Sequence, residues 1–464
     1  MKTTLKLTLL GAVIVGLAAC GNETTTKKDN DSDADKAPAF ASTYQPLPSE
    51  TTLITNARIY DGIGGFIENG SVLITDGRIT AIGTDIDGGN ADVTVDAKGR
   101  YVTPGIIDIH SHLGNYPSPG IRAHSDGNEV TSPVTSEVDA EHGVWPQDPG
   151  FDEALAGGTT TLHVLPGSAN LFGGRGVTLR NVPARTVQGM KFPDAPDTLK
   201  MACGENPKRV YGNKGGPGSR MGNVAGYRKN WIKATEYKEK RDKGGDGFKR
   251  DLQLETLADV IDGKILVQMH CYRADEMAQI IDIAKEFDYK VTTFHHAIES
   301  YKIADLLKEN DVCSAMWADW YGFKAEAYDT IRENVPFVHA AGACAMIHSD
   351  DAYGIQRLNQ EVAKAWSDGN RAGLDISRAD AWMWLTSNPA KALGIDDETG
   401  SLEVGKRADI VLWNAEPFST YARPETVMID GAVVLDRNSG LKPKSDFRLG
   451  QPGPLSFGNA AGGN

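Results

Sequence analysis

Between residues 52 and 102 apolar and polar positions alternate in short runs. TTLITNARIYDG, GSVLITDGRITAIG and DVTVDAKGRYVTPG each join β-branched residues to an Asp-Gly or Lys-Gly turn. That combination predicts strands joined by tight turns. The texture returns near the C-terminus in GSLEVGKRADIVLWNAEP and TVMIDGAVVLD. Two such segments flanking a different middle predict one small β domain, residues 48–103 and 397–445, built from both ends of the mature chain.

The middle, residues 104–396, alternates short apolar runs with helical patterns. Strands are expected at 105–110, 159–165, 198–203, 265–270, 290–295, 312–316, 336–339 and 343–348, and the clearest helices at 274–287 and 303–310. Alternating β and α implies a parallel sheet with right-handed crossovers. About 290 residues and about eight strands suit a closed (β/α)8 TIM barrel of the α/β class better than an open sheet. The small β domain is then a β-sandwich beside it. Chemistry in such barrels sits at the C-terminal ends of the strands, so reactive residues are expected there.

Residues 1–19 read as a signal peptide: Lys2 and Lys6 precede an apolar stretch too short to span a membrane comfortably. The stretch ends in LAACG, which resembles the lipobox of bacterial lipoproteins and makes Cys20 the expected lipid anchor. Residues 20–47 read as a flexible tether, and the tail after Gly450 as loose. This places the chain in the cell envelope, on the periplasmic side of a bacterial membrane, held by the lipid alone. The 464 residues carry 48 basic and 62 acidic side chains, a net charge of -14. That balance argues against nucleic acid as a partner. Cys203, Cys271, Cys313 and Cys344 lie in or beside apolar runs without a CxxC or metal-type spacing. Buried free thiols are expected, although an exported chain could pair them.

Four apolar runs end in residues that bind metals. PGIIDIHSHLG carries His110 and His112, two apart and so on one face of an extended chain. KILVQMH ends in His270, KVTTFHH in His295 and His296, and CAMIHSD in Asp350. Imidazole and carboxylate together suit Zn²⁺, Mn²⁺ or Fe²⁺.

Over about residues 53–434 these motifs, with IHSDDAYG and TSNPAKALGIDDETGSLEVGKRADIVLWN, resemble the amidohydrolase superfamily and its imidazolonepropionase-like branch. The resemblance implies a hydrolase of C–N bonds in amides, peptides or cyclic amides, acting through a metal-activated water with one or two divalent ions, zinc as the first choice. It gives His110, His112, His270 and Asp350 ligand roles, with Asp350 also the proton shuttle. For the sixth strand it favours His296 over His295, because a small residue, Ala297, follows. The fourth strand reads TLKMACGENPKRVYG. Glu205, which shares parity with Met201 and Cys203, is favoured as its carboxylate ligand, and a carbamylated Lys200 is the alternative.

Substrate contacts are sought in Arg175 of the Gly-rich stretch LHVLPGSANLFGGRGVTLR, in Arg209, Tyr211 and Arg220 near Glu205, and in His339. His163 and His348 read as packed residues. Residues 206–250 hold 13 Lys or Arg against 4 Asp or Glu, a local basic excess that would attract an anionic substrate such as a peptide carboxylate. A deaminase or lactonase on the same site, and a non-catalytic envelope binding protein, remain as alternatives. Self-association into a homo-oligomer is compatible with the sequence.

Overall fold

The computed structural model describes residues 39–245 and 247–439. The chain forms a short unit, Met1–Ala41, and a main unit, Ser42–Asn464. The expected signal peptide, Cys20 and residues 20–38 of the tether lie outside the described residues. Residues 42–47 of the expected tether are part of the main unit. The Ser42 hydroxyl donates to Lys191 O at 2.7 Å, Thr43 N donates to Gln188 O at 2.9 Å, and Tyr44 is buried with its hydroxyl on Asp430.

Strands β1 (Thr52–Tyr60), β2 (Phe66–Thr75), β3 (Arg78–Gly83), β4 (Val93–Asp96) and β5 (Tyr101–Pro104) precede the barrel. The barrel strands are β6 (Ile106–Ser111), β7 (Thr159–Val164), β8 (Phe172–Arg180), β9 (Asp197–Ala202), β10 (Ile265–Cys271), β11 (Val291–His296), β12 (Cys313–Met316) and β13 (Ala345–Ile347). After them come β14 (Ile410–Trp413), β15 (Pro424–Ile429) and β16 (Ala432–Asp436). The first and last groups form one sheet in the order β16-β15-β14-β5-β1-β2-β3, with β4 paired to β1. Alternate residues, among them Ile54, Val72, Ile74 and Ile79, face an apolar core shared with Ile410 and Met428.

The eight barrel strands pair in sequence order. All neighbours run parallel except at β8, which is antiparallel to both β7 and β9. The sheet ends meet through side chain and backbone together. Asp108 Oδ1 accepts from Ser349 N at 3.2 Å, Asp108 Oδ2 takes the Ser349 hydroxyl, and Asp350 N donates to His110 O at 3.0 Å. Burial raises the Asp108 carboxyl to about 7. The barrel is a TIM-type barrel with the composite β domain beside it.

Two strand assignments change. The second half of the Gly-rich stretch that carries Arg175 is strand β8. Its glycines are needed for close approach: a Cβ on Gly176 would stand 2.8 Å from His163 Nε2, and Gly174, at φ 116°, has Val138 Cγ2 at 2.5 Å from the same position. Residues 336–339, expected as the seventh strand, lie in the helix Asn334–Ala340. Pro336 sits in its first turn, where a missing N–H leaves no helical hydrogen bond unmade.

The cysteines are paired, not free. Cys203–Cys271 joins the ends of β9 and β10, and Cys313–Cys344 joins the starts of β12 and β13. Parallel neighbours in register bring these positions within 5.2 and 4.5 Å, Cα to Cα, inside the span a disulfide bridges. A buried ion pair ties the barrel to the composite sheet. Arg180 of β8 holds both oxygens of Asp409, at 2.6 and 2.5 Å, and Asp430 at 3.3 Å. Removing either side of such a pair strands a buried charge.

Candidate active site

The site begins with the orientation of His110. Gln268 of β10 donates its Nε2 to Ala392 O at 3.3 Å, so its Oε1 is the acceptor facing His295 Nε2 at 2.7 Å. His295 therefore carries its proton on Nε2 and offers a lone pair at Nδ1. That atom is 2.8 Å from His110 Nδ1, which must be the donor. His110 is left with a lone pair on Nε2, 3.3 Å from Asp350 Oδ1. His112 reaches the same state by a shorter route. Its Nδ1 donates to Leu165 O at 2.8 Å, and its Nε2 stands 3.3 Å from the same Asp350 oxygen. Fixing the distal nitrogen this way is how proteins orient imidazole ligands.

His295 and His296 are consecutive, and in a regular strand they would face opposite sides. Both nevertheless meet His110, with ring centroids at 4.8 and 4.7 Å. Backbone conformation explains this: His296 has φ 68° and Ala297 φ 32°, and Asp350 has φ 65°. Left-handed backbone at non-glycine residues costs of order 1–3 kcal/mol and concentrates where function demands it. His295 is spent on Gln268 and His110, so His296 is the sixth-strand residue facing the cluster.

His270 is buried, and among the described residues neither ring nitrogen has a hydrogen-bond partner. Two such orphaned atoms are costly unless a ligand takes them. Burial holds His110, His270, His295 and His296 well below the ordinary imidazole pKa and brings His348 down to about 3. The rings are therefore neutral, the state a metal ligand needs. Donor atoms of His110, His112 and Asp350 lie within 4.8 Å of one another, as do those of His110, His296 and His348. Neutral imidazoles with one carboxylate, mostly buried, fit a divalent transition metal. His348, at 3.2 Å from His296 Nδ1, thus belongs to the cluster rather than to the packing around it.

The structure brings Lys200, not Glu205, into this cluster. Lys200 is fully buried with Nζ 3.4 Å from His110 Nε2, and burial lowers its ammonium to about 7. Glu205 opens the helix Glu205–Tyr211 and is in neither group of candidate donors. Met201 and Cys203, with which Glu205 shares parity, lie in one apolar cluster with Tyr227, Trp231 and Met277, whereas Lys200 reaches His110.

The expected substrate residues fare unevenly. Arg175 is ion-paired to Asp197 at 2.8 Å and bonded to Thr256, so its charge is already engaged. Arg220 binds Glu276 at 2.9 Å and also Glu326. Tyr211 is buried, and Arg209 is exposed. His339 accepts from Trp384 Nε1 at 3.2 Å and lines a cleft with Val312 and Cys344, at the N-terminal strand ends, away from the histidines. His163 is a packed residue, bonded to Ile109 O and the Thr198 hydroxyl.

Gln268→Leu is expected to weaken divalent metal binding about 10- to 100-fold with the fold retained, because His295 and then His110 lose their fixed tautomer. Competition with a chromophoric chelator measures this, and unchanged affinity contradicts the relay.

The amidohydrolase family profile matches residues 101–434. The amidohydrolase tasK of Hapsidospora irregularis is 30% identical over 424 residues, which are 85% of this chain and 42% of that protein. The chain thus spans less than half the length of that relative. An imidazolonepropionase of Brucella anthropi is 25% identical over 80% of this chain and 94% of its own. The crystal structure of an amidohydrolase from Thermotoga maritima is 34% identical, superposes with a TM-score of 0.77, and is covered over 100% of its length by 83% of this chain.

Proposed function

The chain belongs to the amidohydrolase family, and on that premise we propose that it hydrolyses a C–N bond in an amide, small peptide or cyclic amide, using a water activated by one or two divalent ions, zinc first among them. The observation that carries this reading is the convergence of His110 Nε2 and His112 Nε2 on one Asp350 oxygen, each at 3.3 Å, beside the unpartnered nitrogens of His270. His110, His112, His270, His296 and Asp350 would hold the metal, with His348 within reach.

A divalent ion held by these residues would lower the pKa of a bound water from about 16 toward about 7 and would polarise the scissile carbonyl. Asp350 accepts the proton of the attacking water on a carboxylate oxygen and delivers it to the leaving nitrogen. The Gln268–His295 relay holds His110 still while this happens. Lys200, as a neutral amine, can combine with CO₂ and lose a proton to become a carbamate, which would supply the fourth-strand carboxylate in place of Glu205.

The two disulfides support an oxidising compartment. We place the chain in the cell envelope on that ground and on the lipobox-like LAACG. The test is a screen of the metal-loaded protein against dipeptides, N-acyl amino acids and cyclic amides. Hydrolysis in any of these classes is the expected result. Fully metallated protein that cleaves none of them would turn the reading to a binding protein.

A further inference from the structure

Lys324 lies in the segment after β12, at the start of the short turn Ala325–Ala327. Its Nζ stands 4.2 Å from the centroid of the Tyr272 ring and donates to Asn206 Oδ1 at 3.2 Å. The Tyr272 ring in turn packs 4.6 Å from His270 and 5.5 Å from His296. One aromatic ring therefore separates a fixed positive charge from the histidine cluster. The charge acts on His270 and, with opposite sign, on Asp350.

Three features mark this ammonium as waiting for an anion. It is half-buried, yet among the described residues no carboxylate forms an ion pair with it. Glu326, the nearest acidic residue in sequence, is engaged by Arg220. Burial lowers the ammonium; Glu205, Glu326 and Asp350 favour its charge through space and Arg209 opposes it, but none of the three carboxylates is bonded to it. Asn206 takes one of three N–H donors and the Tyr272 face can hold a second, which leaves at least one for a ligand. Alongside runs an aromatic wall: Trp317 stacks on His296 at 4.4 Å, with Phe323 at 5.6 Å and Trp320 at 6.0 Å.

We propose that Lys324 anchors the carboxylate of the substrate, and that the substrate class is an N-acyl amino acid or peptide whose scissile amide neighbours a free carboxylate and an apolar side chain. The carboxylate sits on Lys324, the apolar side chain lies along Trp317 and Phe323, and the amide carbonyl reaches His270 and His296. The assignment rests on the hydrolase reading for the word substrate, but the anion site itself does not.

The experiment compares N-acetyl-L-leucine with its carboxamide by calorimetric titration of full-length metallated protein, in wild type, Lys324→Met and Lys324→Arg. Wild type is expected to bind the carboxylate at least tenfold more tightly than the carboxamide. K324M removes that preference, K324R keeps part of it, and metal content is equal in all three. Equal binding of the two compounds by wild type, or a preference that survives in K324M, overturns the assignment. Hydrolysis is read in parallel: discrimination without cleavage of either compound leaves the anchor standing and counts against the hydrolase reading.

Discussion

Asp350→Asn is expected to lower turnover by about 10²- to 10⁴-fold, the usual contribution of a positioned proton-transfer group. The amide keeps the shape of the carboxylate but cannot accept the water proton. The fold should persist, because what locks this position is backbone and neighbours: Asp350 N on His110 O at 3.0 Å, and Asp108 on Ser349. The thermal midpoint is therefore expected to stay within a few degrees of wild type. Metal content must be read on the same sample, since Asp350 is also a candidate ligand. Wild-type turnover in a metal-replete variant would remove Asp350 from the chemistry.

Lys200→Ala is expected to lose at least one metal per chain, with hydrolysis falling more than about 100-fold, the order of loss seen when one preorganised charge is removed from an active site. Glu205→Ala is expected to keep wild-type metal content. The contrast follows from position. Lys200 is fully buried with Nζ 3.4 Å from His110 Nε2, whereas Glu205 lies outside the donor groups. A buried lysine without an acidic partner is expensive to maintain as an inert residue. Dependence of metal uptake on bicarbonate would show the carbamate directly. Loss of metal in the Glu205 variant and none in the Lys200 variant would reverse the assignment.

The strand ends that gather the histidines were legible because each apolar run stops at a histidine or aspartate, and a barrel makes those ends neighbours. His110, His112, His270, His296 and Asp350 could be named from that alone together with the family resemblance. What failed depended on side-chain direction and on pairing. Lys200 ranked only as the alternative to Glu205 because parity was counted from Met201 and Cys203, which share an apolar cluster with Tyr227, Trp231 and Met277. The disulfides were invisible because pairing depends on register between strands 68 and 31 residues apart in sequence. β8 was absent from the expected strands because glycines erase the alternation that marks one. Residues 336–339 read as a strand because four mostly apolar residues carry no period long enough to tell β from α. Lys324 and Tyr272 had no local signal at all: only the folded chain sets Tyr272 against His270 and Lys324 against Tyr272.

The proposed hydrolysis depends on a divalent metal held by these histidines and Asp350. Metal analysis of the purified protein, paired with hydrolysis before and after chelation and again after adding back zinc, tests it most directly. One or two ions per chain, activity lost with the chelator and restored by the metal, is the predicted result. Hydrolysis that persists in the metal-free protein would contradict it.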